Sequence, residues 1–111
     1  MVAVDDKLLA DITAAIVREV QPDEVILFGS RAGGQARADS DVDLLIVEGQ
    51  PFAGERSRRQ ELSRIRRALW SFRLPLDLLV FSRDEINTWR GSTNHVIGRA
   101  MREGLTLYAR S

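Results

Sequence analysis

The sequence predicts an α/β (α+β) domain: a small mixed β-sheet of three to four strands flanked by helices. Three observations carry this expectation. Apolar residues recur at helical spacing in separate stretches, short runs rich in Val, Ile, Leu and Phe read as strands, and the two kinds of segment alternate along the chain. At 111 residues the chain has room for one domain, so residues 1–111 are expected to fold as a single unit.

The elements follow in order. Leu8, Leu9, Ile12, Ile16 and Val20 share one helical face, with Asp5 or Asp6 able to cap the start and Pro22 able to stop the helix. The run EVILF, 24–28, is a short strand closed by Gly29. A short helix or turn begins at Ser30 and is interrupted by Gly33-Gly34, and ADS at 38–40 is turn chemistry. DVDLLIV, 41–47, is the second strand, and GQPFAG, 49–54, is a loop. Between Glu55 and Phe72 the set Leu62, Ile65, Leu69 and Phe72 marks another helical face. LDLLVFS, 76–82, is a third strand after Pro75. A last helix over 93–103 turns Val96, Ile97, Ala100 and Met101 inward and ends at Gly104, and LTLY adds a short edge strand.

Composition narrows the class. With 44% apolar and 29% charged residues the chain can bury a core, which a disordered tail cannot. Sixteen basic and sixteen acidic residues cancel, so bulk charge gives no reason to expect attachment to a membrane or direct binding of nucleic acid. Without cysteine there is neither a disulfide framework nor a thiolate metal site. The stretch MVAVDDKLLADI lacks the basic region and uninterrupted apolar core of a signal peptide, and no apolar run reaches the ~18 residues of a membrane span. A cytoplasmic protein is the expectation.

The chemistry gathers in ILFGSRAGGQARADSDVDLLIV, 26–47. Side chains alternate across a strand, so Asp41 and Asp43 project from one face while Val42, Leu44 and Ile46 project from the other. Their own face continues as Leu45 and Val47. Two anions beside each other at a sheet's end repel, and burial would raise their proton affinity. A divalent cation relieves both effects, and hard oxygen ligands suit Mg²⁺. A bare D-x-D is more often a polar turn with an exposed strand residue. Asp77 shifts that balance, because it places a third carboxylate at the entry of another apolar strand. If the two strands are neighbours, three carboxylates meet at one end of the sheet.

Gly29-Ser30 supplies a complementary half. Glycine permits a tight strand-to-helix turn with close backbone approach, and free N–H groups at the following helix start attract anionic oxygen. Ser30 adds a hydroxyl and Arg31 a cation. A plain strand-ending turn capped by Ser30 would look the same in isolation. A phosphate-holding turn facing carboxylate-bound Mg²⁺ is the minimum equipment for phosphoryl or nucleotidyl transfer.

Gly29-Ser30, the ten residues 31–40 and then Asp41-Val42-Asp43 match the G-S-x10-D-x-D signature of polymerase-β-like nucleotidyltransferases. The chain resembles their minimal members, the antitoxin-type proteins encoded beside HEPN-domain toxins, over nearly its whole length, down to the ending REGLTLY. The resemblance implies that Gly29 and Ser30, with Arg31 beside them, hold the nucleoside triphosphate. It implies that Asp41 and Asp43 bind two Mg²⁺ ions and that Asp77 completes a catalytic and metal-binding triad that helps activate the acceptor hydroxyl. It further implies ATP as substrate and AMP transfer to a tyrosine of a cognate HEPN toxin, in a hetero-oligomer. Two other functions are compatible with the motif: an antitoxin that neutralises by binding alone, and transfer to a small molecule such as an aminoglycoside.

Residues 56–73 hold seven arginines (56, 58, 59, 64, 66, 67 and 73), which read as a solvated helix face balanced by acids elsewhere, as a nucleic-acid or phosphate surface with little aromatic interleaving to support base stacking, or as a face for an acidic partner surface. His95, the single histidine, reads as a helix-start or surface residue. Trp70 and Trp89 read as core or interface.

Overall fold

The computed structural model describes residues 4–32 and 41–110. Helix α1, Asp6–Val20, begins where the Asp5 carboxylate accepts the Leu8 N–H at 2.9 Å, and it ends on Gln21 in a left-handed conformation ahead of Pro22. Strand β1, Glu24–Phe28, leads into a single 3₁₀ turn at Gly29–Arg31. Strand β2 spans Val42–Glu48, so Asp41 stands just before the strand instead of opening it. The expected Gly33-Gly34 interruption and the 38–40 turn lie outside the described residues.

The basic segment forms a shorter helix than its periodicity predicts. Helix α2 covers Arg58–Ala68 with Ser57 as its cap, and a separate 3₁₀ turn follows at Trp70–Phe72, closed by Arg73 at φ 54°. Strand β3, Leu76–Ser82, has the expected bounds. Helix α3, Arg83–Trp89, was not anticipated. Its signal is the tetrad Ser82-Arg83-Asp84-Glu85, a capping box: the Ser82 hydroxyl accepts the Glu85 N–H at 3.3 Å and the Glu85 carboxylate accepts the Ser82 N–H at 2.9 Å. Helix α4, Val96–Glu103, starts three residues later than expected because His95 caps it, Nδ1 accepting the Ile97 N–H at 3.1 Å. Strand β4, Leu105–Ala109, is the expected edge strand.

The sheet order is β3-β2-β1-β4. β1 pairs antiparallel with β2 and with β4, while β2 and β3 run parallel, as the mixed-sheet expectation requires. α1, α2 and the Leu69 that ends α2 cover one face, with Ile12, Ile16, Ile65 and Leu69 in one core cluster with Leu27, Leu44, Ile46 and Val80. On the other face Ile86, Ile97 and Ala100, from α3 and α4, pack on Ile26, Leu45 and Val47. Each of the isoleucine, leucine and valine side chains among them contributes about 1.5–3 kcal/mol when fully buried. β2 lies in the middle of this sandwich, which is why its sequence is almost uninterruptedly apolar and not alternating. Among the described residues no helix is long and apolar enough to cross a membrane.

Candidate active site

Strand register gathers the motif. In β1–β2 pairing Phe28 stands opposite Asp43, and in β2–β3 pairing Asp43 stands opposite Asp77. The three form one row across the sheet, on the face covered by α3 and α4, and they mark the end at which that face stops being apolar. The row is held in register by the Val42 N–H, which donates to the Pro75 carbonyl at 3.0 Å and continues the parallel ladder back to the loop before Asp77. Side chains directly opposite on adjacent strands are about 5 Å apart, so Asp43 and Asp77 are true neighbours.

Gly29 completes the corner. Its φ of +74° lies in the left-handed region, and a Cβ built there would fall 2.1 Å from Asp43 Oδ2. Both facts require glycine: one is a backbone conformation that L-residues resist, the other is contact between the turn and the carboxylate. The turn closes with the Ala32 N–H donating to the Gly29 carbonyl at 3.2 Å, and Ser30 and Arg31 project from it half-buried.

Electrostatics mark the same place. Burial is the main influence raising the Asp43 carboxyl above its usual range, and the charges of Asp77 and then Asp41 raise it further, opposed by the Arg31 guanidinium. Asp41 and Asp77 are exposed. Among the described residues no group of three or more Asp, Glu, His or Cys side chains is gathered so that it could hold a metal ion by itself. The donor set is nonetheless of the right kind, since Mg²⁺ is usually held by one or two carboxylates together with substrate phosphates.

Beside the turn lies a cleft of about 700 Å³, bounded by Phe28, Gly29 and Ser30 from β1 and its turn and by Asn94, Val96, Arg99 and Glu103 from the α4 region. Sequence reasoning placed Val96 in the core, but it is 39% exposed at this cleft, while Ile97 and Ala100 carry the packing. Nothing local in the sequence signals the cleft, because α4 meets the end of β1 only through tertiary packing.

A family model described as "Nucleotidyltransferase domain" matches residues 10–103. The chain belongs to this nucleotidyltransferase family. Among solved structures, a Sulfolobus solfataricus protein assigned as a nucleotidyltransferase superposes with a TM-score of 0.66 at 22% identity, covering 94% of this chain and 79% of that one. A chain from a structure of a toxin-antitoxin with AMP-PNP superposes with a TM-score of 0.55 at 18% identity, covering 92% of this chain and 74% of the other. At these identities the likeness concerns the fold. A comparison with curated protein sequences gives no significant match.

Proposed function

We propose that this nucleotidyltransferase domain works with Mg²⁺ to move AMP from ATP onto a tyrosine hydroxyl of a partner protein, a HEPN-type toxin, and so acts as an antitoxin. The observation that carries the proposal is the Asp43–Asp77 pairing beside Gly29. In this reading the nucleotide lies in the cleft next to Phe28, with its triphosphate along the Gly29–Ser30 turn, where backbone N–H groups, the Ser30 hydroxyl and Arg31 meet anionic oxygen. Asp41 and Asp43 would hold the metal, which when bound would neutralise charge on the triphosphate and lower the acceptor's proton affinity. Asp77, exposed at the edge strand, faces the acceptor and takes part in the hydrogen bonding that orients its hydroxyl for in-line attack at the α-phosphorus. The new bond joins the acceptor oxygen to that phosphorus, and pyrophosphate leaves. The toxin-antitoxin neighbour supports a protein partner.

Intact mass of the partner after incubation with ATP and Mg²⁺ tests the proposal. A gain of one AMP unit or a multiple is expected with the parent protein and none with Asp41→Asn/Asp43→Asn. Neutralisation by both proteins without any mass gain would instead make binding alone the antitoxin mechanism. For the metal, calorimetry should show ATP affinity falling when EDTA replaces Mg²⁺, and equal affinity would remove Asp41 and Asp43 from metal binding.

A further inference from the structure

The basic helix divides into arginines with a partner and arginines without one. Arg56 bridges Glu48 and Glu61, Arg58 pairs with Glu85, and Arg64 with Glu19. Arg59, Arg66, Arg67 and Arg73 make no ion pair with any described residue. Of these, Arg66, Arg67 and Arg73 line the surface around Trp70, which is 79% exposed at the start of the 3₁₀ turn after α2. An indole left in water between unpaired cations is unusual for a surface with no partner, since aromatic and arginine side chains together dominate binding energetics at interfaces.

A groove of about 420 Å³ runs beside Trp70. Its floor is Leu69, Leu74, Leu76 and Leu78, and Arg66 and Arg73 stand on its rim. Leu76 and Leu78 alternate with Asp77 along β3, and β3 is the edge of the sheet. A molecule seated in the groove is therefore separated from the Asp77 side by the width of one strand.

We propose that this groove docks an acidic segment of a protein partner, with an apolar side chain on the leucine floor and flanking carboxylates on Arg66, Arg67 and Arg73. The inference deepens the function proposed above and rests on it for the need of a protein acceptor held near Asp77. Charge selects the occupant. A second copy of this chain in a symmetric contact would bring the same arginines face to face. A nucleic acid would find one aromatic ring and would have to lay polar base edges on four leucines.

The test uses the full chain carrying Trp89→Phe, so that Trp70 is the single indole. The probe is a synthetic peptide of about 15 residues with a central Leu-Phe pair flanked by glutamates, compared with its glutamine counterpart and with a single-stranded oligonucleotide of similar length. The acidic peptide should shift Trp70 emission to the blue. By calorimetry, replacing its glutamates, or introducing Arg66→Gln/Arg73→Gln or Trp70→Ala, should weaken binding by roughly tenfold or more. Asp43→Asn should bind the peptide as the parent does. No binding of the acidic peptide, equal binding of the glutamine peptide, or tighter binding of the oligonucleotide would overturn the proposal. No nucleotide enters this titration, so a failure of AMP transfer and a failure of docking are separately visible.

Discussion

Gly29→Ala probes the contact on which the candidate site is built. Alanine at φ +74° costs about 1–2 kcal/mol from the backbone alone. The added Cβ would lie 2.1 Å from Asp43 Oδ2, far inside ordinary contact, so the carboxylate has to rotate away from the turn. The oxygen is the far end of a short side chain, and moving it off its rotamer adds roughly 0.5–1.5 kcal/mol. The total loss is about 1.5–3.5 kcal/mol, read by urea unfolding. In an Asp43→Ala background the oxygen is gone and the backbone cost alone remains, so the cycle should show a coupling of about 1 kcal/mol. ATP binding in Mg²⁺ should weaken with Gly29→Ala by more than its stability loss explains at temperatures where the variant is fully folded. Equal costs of Gly29→Ala in both backgrounds would refute the contact, and unchanged ATP affinity would refute its importance to the site.

Other outcomes follow from the same structure. Glu48, 4% exposed, has one oxygen buried without a hydrogen-bond partner among the described residues; burial, and then the neighbouring Glu61, push its carboxyl up to about 7 against the opposing pull of Arg56. The folded chain therefore keeps a proton that the unfolded chain releases near 4.5, so this group's stabilisation is complete below about 4.5 and disappears as pH rises through about 7. Glu48→Gln should flatten thermal stability between these pH values, by at most about 3 kcal/mol at the alkaline end, and an unchanged pH profile would contradict it. Asp43→Asn should melt no lower than the parent at neutral pH in EDTA, because it removes a charge that burial and Asp77 disfavour; a clear drop would assign Asp43 a structural role. Ser82→Ala, which removes the capping hydroxyl of α3, should cost about 1 kcal/mol in urea unfolding, and no loss would show that the cap is dispensable.

By itself the sequence determined the elements whose signals are local. The bounds of β1 and β3 follow from apolar runs closed by Gly29 and opened after Pro75, and α1 follows from its period and caps. The spaced Gly-Ser and Asp-x-Asp motif identified the candidate site residues because each backbone and charge requirement is met by particular residue types. The capping box that starts α3 is equally local, but a helix of seven residues carries too little apolar periodicity to stand out in the sequence. Only the tertiary structure decided that Asp77 stands directly opposite Asp43, because strand order and register arise from hydrogen bonding and two-sided burial between segments more than thirty positions apart. The same holds for the cleft beside Phe28, and for which arginines of the basic segment are neutralised: Glu48, Glu85 and Glu19, which meet Arg56, Arg58 and Arg64, come from other elements and add to Glu61 of the helix itself, while Arg59, Arg66, Arg67 and Arg73 meet no acid among the described residues. Helical spacing puts charges on a face, but what faces them is set by how the chain packs.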